Sequence, residues 1–386
     1  MGIQSAVELF EVTFGKKATV NAKAPGRLEV LGNHTDYNDG ITLSCAVGQA
    51  TEFAMAPVSG RKCSIISSMT GQITEFSLDD IDQAIKGDWT NYVKGVIVQL
   101  RKRGFEVPAF QAAVHSTVPL SAGMSSSAAL EVAAGFAFSK AFDIELSKTE
   151  WAKIGQGVEN EYIGLGSGLL DQFSSVFGKR NSLIYSDFRT NEVIRNVDVP
   201  DGHVLVVANS LIKHDLVDSD YNVRRESCMN VAAKMAELHD CVSALRDVTP
   251  AVLIASKDQH DATDYLRALH VVGECDRVIK GVAALEAGDL STFSQLLNDS
   301  QESSIENFDN SCLELDVLCE LSKGHNACSG ARLSGGGFGG ISIHLVKEDR
   351  ADEYCTYLEH AYEKKMGKKT ETIICSMGQG ASVEVL

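Results

Sequence analysis

Proline is scarce, at 6 residues in 386. No proline-rich linker or low-complexity tract interrupts the chain, so its domains are expected to pack closely. No repeat of solenoid length is present. No run of 18 or more apolar residues occurs, which excludes a membrane-spanning helix and makes a membrane an unexpected partner. No long basic run offsets the formal net charge of −17. A nucleic-acid binder needs a positive stripe to displace counterions, so that class is excluded as well. Small anionic substrates stay open, because a local positive site can sit inside an acidic shell. The 10 cysteines form no CxxC pair. Cys312, Cys319, His325 and Cys328 come nearest to a metal cluster, but their spacing fits no zinc module. No GxxxxGK[ST] exists either, since each Gly–Lys step, at 15–16, 178–179 and 367–368, is followed by Lys or Arg. That excludes a P-loop. Residues Met1 to Val7 have neither a basic n-region nor an apolar h-region, and Ala6 breaks the myristoylation pattern. A cytoplasmic location with reduced thiols is expected.

What remains is the composition of a soluble globular protein, 44% hydrophobic and 23% charged. The length suggests two or three domains. Ala18 to Ala24 alternates like a strand running into Pro25-Gly26. Leu130, Ala133, Ala134, Ala137 and Ala141 recur at helical spacing, which predicts a buried small-residue helix over 127–142. Val204 to Ala208 reads as a central strand. Residues 221–245 and 262–285 read as amphipathic helices, and Ile341 to Val346 as a strand. Strands mixed with long helices, without regular βαβ spacing, predict an α+β fold. The division between domains is placed near 200–210, at Pro200-Asp201-Gly202.

Three segments carry candidate chemistry. In Ala24 to Gly40, the polar groups of Asn33, His34, Thr35, Asp36, Tyr37 and Asn38 follow an apolar approach. That density suits a polyol, each of whose hydroxyls needs a partner. A solvated turn is the other reading, since Asn and Asp favour turns. In Val118 to Leu130, a loop of small residues runs into a helix. Its free N–H groups and the helix dipole would favour an anion, phosphate first. A serine-rich cap without a ligand is the plainer alternative. In Gly330 to Gly340, the pattern GxGxxG occurs formally at Gly335, Gly337 and Gly340, but a strand-like run follows where a dinucleotide site needs a helix. Glycines at this density let backbone approach a ligand or another loop closely.

In this order, the three segments resemble the GHMP kinases, and HTDYN resembles their galactokinase branch. Support extends along nearly the whole chain. Trp89 to Val96 resembles W-x-N-Y-x-x-G-V, and Gly168 to Phe173 resembles G-[IL]-[ML]-D-Q-F. Tyr221 to Cys228, Leu245 to Val248, Arg267-Ala268-x-His270 and Glu314-Leu315-Asp316 match further motifs. The resemblance implies a two-domain GHMP kinase fold. Residues 1–203 would form a ribosomal protein S5 domain 2-like N-terminal domain, binding sugar and ATP, and 204–386 a ferredoxin-like C-terminal domain. It also implies a monomeric, ATP-dependent sugar kinase that phosphorylates the anomeric C1 hydroxyl of galactose or a galactose-like sugar.

The resemblance assigns roles residue by residue. Asp171 is the candidate catalytic base and Arg27 its partner. Asn33, His34, Asp36, Gly168 and Tyr221 would contact sugar hydroxyls, with Gly336 and Gly337 closing the site from the second domain. The loop Ser121, Ala122, Gly123, Met124, Ser125, Ser126 and Ser127 would cradle the phosphates of ATP, and Trp89 and Tyr92 would border adenine. Ser126 or Ser127, with Glu159, would hold Mg²⁺, a hard cation suited to a few protein oxygens beside nucleotide phosphates. Three positions depart from the family pattern. Ser121 replaces a usual Gly, and Gln301 stands where S-H-x-S is common. Asn33 stands where galactokinases carry Glu, whose carboxylate receives the C6 hydroxyl. An Asn amide can donate as well as accept. A hexuronate such as galacturonate is therefore the alternative substrate, and a silent sugar- and ATP-binding paralogue the alternative role.

Overall fold

The computed structural model describes residues 4–119, 123–212 and 217–386. Among these residues, twelve strands form two sheets. They are β1 Val20–Leu31, β2 Ile41–Pro57, β3 Lys62–Ser67, β4 Ile73–Ser77, β5 Phe110–Ser116, β6 Ser182–Asp187, β7 Glu192–Asp198, β8 His203–Asn209, β9 Cys328–Ser334, β10 Ile341–Lys347, β11 Glu371–Cys375 and β12 Ser382–Val385. The first sheet runs β12-β1-β2-β5-β3-β4, with β6 also on β2 and β7 on β6. The second runs β11-β8-β10-β9, and its pairs are antiparallel. That is the order fourth, first, third, second of a ferredoxin-like sheet. The α+β expectation holds.

The small-residue helix spans Ser126–Ala141, close to its predicted limits, and Ala128, Ala129, Ala133, Ala134 and Ala137 are all buried. Small side chains let it lie close against β1 and β2. The helix predicted over 262–285 is Ala262–Glu286. The one predicted over 221–245 stops at Leu238. Beyond it, Val242 and Leu245 turn into the core, and Asp247 accepts the backbone N–H groups of Ser243 and Ala244. A helix continued to 245 would forfeit those partners.

The strand expected to end at Pro25-Gly26 continues to Leu31. Its register with β2 shifts between Pro25 and Arg27, and again between Glu29 and Leu31. Such bulges bend a strand and re-aim its side chains. Ala24 to Leu31 is buried throughout. One neighbour is the helix Ser126–Ala141, and others are Ala262–Glu286, Leu290–Ser303 and β9 from the second lobe. A single apolar cluster accordingly joins Leu28, Val30, Leu31, Leu43 and Met124 to Leu205, Val207, Val278, Phe293, Ile341 and Ile343. The lobes share this core, as the scarcity of proline suggested. Residue 203 is already the first of β8, and the chain returns at β12 to pair with β1. The last strand thus lies in the first sheet, although the C-terminal half otherwise builds the second.

Candidate active site

The polar turn after β1 is not solvated. Asn33 and Thr35 have no exposed surface, and His34 is 3% exposed. Thr35 Oγ1 lies 2.8 Å from the carbonyls of Gly32 and Ile41, and Asn38 Nδ2 donates to His34 O at 2.8 Å. Glu274, from the helix Ala262–Glu286, accepts the N–H groups of Gly32 and Asn33, each at 2.8 Å. Burial alone would push its carboxyl up, but Arg277 and Arg332 outweigh it and hold Glu274 below the usual carboxylate range. The side chains of Thr35 and Asn38 therefore lock the turn, and His34 and Asp36 are left facing a cavity.

That cavity has about 110 Å³ and is lined by Arg27, Glu29, Asn33, His34, Asp36, Ser167, Gly168, Leu170, Asp171, Tyr221, Gly335 and Gly336. His34 takes the left-handed conformation, φ 58°. Its Nε2 lies 3.2 Å from Gly336 O and its Nδ1 2.9 Å from the Tyr37 hydroxyl. A carbonyl only accepts, so Nε2 carries the proton and Nδ1 accepts from Tyr37. Burial pushes His34 down to about 3, so the ring is neutral. Burial raises Asp36 to about 6, and its two oxygens accept from Tyr37 N at 3.0 Å and Leu170 N at 3.3 Å. Gly168 lies so close that a Cβ there would overlap Asp36 Oδ2. Tyr221 packs its ring 5.0 Å from His34 and 5.5 Å from Tyr37.

At the other wall, Arg27 Nε donates to Asp171 Oδ1 at 2.7 Å, and Arg27 Nη1 to Gly123 O at 2.6 Å. Ser125 Oγ donates to Asp171 Oδ2. Burial opposes the charge on Arg27, but Asp171 and Glu29 outweigh it and raise its pKa, so it stays cationic. Arg27 and Asp171 also line a second cavity, of about 270 Å³, with Gly123, Met124, Ser125, Ser126, Ser127 and the loop Ser334 to Gly340. Ser125 caps the helix Ser126–Ala141 in a left-handed conformation, φ 54°, with no side-chain cap bond, because its hydroxyl is on Asp171. The first amides of a helix have no intrahelical acceptor, so this end is a donor array for an anion. Gly337, φ 84°, closes the same space and passes over Asn310, whose carbonyl a Cβ would strike. The strand expected after these glycines is β10, so no dinucleotide-type helix follows them.

A third cavity, of about 430 Å³, shares Ser126 and Ser127 with the second and is bordered by Trp89, Tyr92, Thr51, Ser67, Met69 and Leu130. Neighbouring spaces share wall residues, so the three lie in series. A polar pocket ends at Asp171, a glycine- and serine-lined passage follows, and a more apolar cleft lies beyond. Ser121 and Ala122 lie outside the described residues.

Glu159 sits in the turn Val158–Ile163, where burial raises its pKa. Its oxygens accept from Ser127 Oγ at 3.1 Å and Ser167 Oγ at 2.5 Å. A buried carboxylate beside the serine hydroxyls is an all-oxygen donor set, which fits Mg²⁺ when phosphates complete the shell. Ser126, Ser127 and Glu159 would hold it.

Several residues here escaped the sequence reading. Glu29 lines the polar pocket, and Arg332, wholly buried, donates to it at 3.2 Å. Asn310 Nδ2 donates to Asn33 Oδ1 at 3.0 Å. Ser167 holds Glu159. Glu29 stands inside a motif already singled out, so its charge in an apolar stretch was the available signal. Asn310 and Arg332 reach the site only through folding. Gln301, the third departure, accepts Leu333 N at 2.8 Å and donates to Ser311 and Asp316, a bracing role outside these three cavities.

Comparison with known proteins agrees with this geometry. Residues 8–57 match the galactokinase galactose-binding signature, 91–179 the GHMP kinases N-terminal domain and 282–364 the GHMP kinases C-terminal domain. The chain is 34% identical over 375 residues to a galactokinase of Roseiflexus sp. (strain RS-1), covering 97% of this chain and 95% of the relative. It is similar to the structure of Lactococcus lactis galactokinase complexed with galactose, with a TM-score of 0.92 and 31% identity over 97% of this chain and 98% of the other. A mevalonate kinase of Methanococcus jannaschii, 18% identical with a TM-score of 0.62 over 94% and 99% of the two chains, shares the fold.

Proposed function

This chain belongs to the GHMP kinases, in their galactokinase branch, and we propose that it transfers the γ-phosphoryl of ATP to the anomeric C1 hydroxyl of galactose. It is a phosphotransferase with an alcohol acceptor. The proposal rests on one placement above all. The Arg27–Asp171 pair stands on the wall common to the polyol-type pocket and the serine–glycine passage. A hydroxyl in the first space and a terminal phosphoryl in the second would meet beside Asp171. The protein would act in the cytoplasm.

Phosphoryl transfer is mostly positioning and charge neutralisation. Each Asp171 oxygen has a spare lone pair beyond the bond it already accepts. One of them would take the proton from the C1 hydroxyl as that oxygen bonds to γ-phosphorus and the bond to ADP breaks. Anomeric hydroxyls are more acidic than other sugar hydroxyls, so a carboxylate is base enough. Arg27 orients Asp171 and faces the charge that develops on the phosphoryl oxygens. Asp36 and Tyr221 would hold the sugar, with the neutral His34 ring packed against Tyr221 as a wall of the pocket, while Gly336 and Gly337 close over it. The amides of Ser126 and Ser127 would bind phosphate oxygens. Mg²⁺, when bound, supplies charge neutralisation for those phosphates.

The test is a coupled ADP-release assay with galactose, galacturonate, N-acetylgalactosamine and arabinose, with NMR on the product. Galactose should be turned over fastest and its phosphate should couple to the anomeric proton. Absence of sugar-dependent ADP release, or phosphate on another carbon, would end the reading. Two variants report on the nucleotide side. Trp89→Ala should raise the KM for ATP about tenfold with kcat little changed, given that stacking a base on an aromatic ring is worth ~1–3 kcal/mol. Glu159→Gln should raise the Mg²⁺ concentration for half-maximal rate at least about tenfold, since contacts to a charged group are worth ~1.5–3 kcal/mol. Both are read from initial rates against ATP and Mg²⁺.

A further inference from the structure

Asn33 has no spare donor for an acidic sugar. Its two Nδ2 hydrogens go to Glu29 Oε1 at 2.7 Å and Gly335 O at 2.9 Å, and its Oδ1 accepts from Asn310. The amide is a strut between the lobes, tying β1 to the glycine loop. The carboxylate in this corner belongs to Glu29, four residues earlier, at the second bulge of β1. Its Oε1 accepts from Asn33 and from Arg332. Its Oε2 has no hydrogen-bond partner among the described residues, and the side chain lines the pocket. The nearest cation, Arg332, is buried behind it and spends another N–H on Val30 O at 3.0 Å.

We propose that Glu29 is the specificity-determining residue of the sugar pocket: its free carboxylate oxygen accepts a hydroxyl of a neutral hexose and turns away a hexuronate, while Asn33 only positions it. This rests on the sugar-kinase reading and decides its substrate class. Asn33 in place of the family's Glu does not remove the carboxylate from the pocket. The carboxylate is supplied from position 29 and held in place by Asn33 and Arg332. Burial raises Glu29 to about 7 although Arg332 opposes it, so above that pH a substrate carboxylate entering this corner would meet its charge and find the Asn33 amide already committed. A hydroxyl would find an acceptor with nothing else to bind.

Direct binding by calorimetry tests this without requiring turnover. The ligands are galactose, galacturonate and a series of singly deoxygenated galactoses, and the proteins are the wild type and Glu29→Gln. Wild type should bind galactose at least about tenfold more tightly than galacturonate. One deoxygalactose should bind about tenfold or more weaker than galactose to wild type. Glu29→Gln should weaken galactose by a similar factor and leave that deoxygalactose unaffected. This non-additivity identifies a direct contact. A purely structural Glu29 would weaken galactose and every deoxygalactose equally, and that outcome overturns the proposal. So does galacturonate binding as tightly as galactose, or wild type binding none of these sugars. If Glu29→Gln fails to fold, the wild-type comparison of galactose, galacturonate and the deoxygalactoses still decides, because equal affinities across it refute an accepting carboxylate. Should sugars bind in this pattern with no ADP released, the kinase reading falls while the Glu29 assignment stands.

Discussion

Asp171→Asn is expected to lower kcat by about 10²–10⁴, the range over which a positioned general base contributes, with galactose affinity changed little. The amide keeps the shape of the carboxylate. Its oxygen can still accept from Arg27 Nε, which now donates to Oδ1 at 2.7 Å. What it loses is the capacity to take up a proton. Among the described residues no hydrogen bond joins Asp171 to the sugar turn, whose geometry is held by Thr35, Asn38 and Glu274. Sugar binding should therefore survive, and calorimetry beside single-turnover kinetics separates the two quantities. Near-normal turnover by the variant would remove Asp171 from the role of base. A parallel loss of kcat and of sugar binding would make it a sugar ligand instead.

Gly168→Ala is expected to abolish measurable sugar saturation while nucleotide binding persists. The added methyl would occupy the position of Asp36 Oδ2. Asp36 has little room to retreat, because its oxygens are tied to the N–H groups of Tyr37 and Leu170. Either the carboxylate leaves the pocket or the turn at 168 shifts, and Leu170 and Asp171 shift with it. Losing one hydrogen bond to a charged group costs ~1.5–3 kcal/mol, or roughly 10–100-fold. Displacing Asp171 as well would add the catalytic loss, so kcat/KM for sugar should fall by more than 10³. Overpacking of this kind costs about 1–3 kcal/mol in stability, so a modest drop in Tm should accompany it. Calorimetry with a non-hydrolysable ATP analogue supplies the control. Retention of normal galactose KM would mean that Asp36 does not touch the sugar.

These two outcomes bear on how the site is built. Asp171 and Arg27 are 144 positions apart in sequence and meet at one wall. Asp36 and Gly168 touch across a similar separation. His34 and Ser125, two of the non-glycine residues with positive φ, lie on either side of that wall. Strained backbone of this sort persists where the surroundings over-determine it, here by Tyr37 and Gly336 around His34 and by Asp171 around Ser125.

Local pattern in the chain made much of this legible. Helical spacing of Leu130 and the alanines predicted the helix Ser126–Ala141, because a buried small-residue face is a short-range property. The small-residue run before it marked a helix end with free donors. The absence of GxxxxGK[ST] excluded a P-loop correctly, and a strand after Gly340 correctly argued against a dinucleotide fingerprint. Family likeness in motifs kept in order along the chain then located Arg27, Asp36, Glu159, Gly168 and Asp171, which the fold brings together.

Position 33 marks where that kind of reading ended. Against the family pattern, an amide in place of a carboxylate is a loss of charge and an invitation to an acidic substrate. Whether the amide is free to bind anything depends on partners 4, 302 and 277 residues away, Glu29, Gly335 and Asn310. Those partners are set by two bulges in β1, by the shared core of the lobes and by the buried Arg332, none of which has a local signature. Short-range hydrophobic spacing and motif order were enough for the elements, the family and the pairing of Arg27 with Asp171, because each depends on residues near in sequence or on a pattern kept in order. The charge balance of the sugar pocket was settled only when strands and lobes came together, because hydrogen-bond saturation is a property of three-dimensional neighbours.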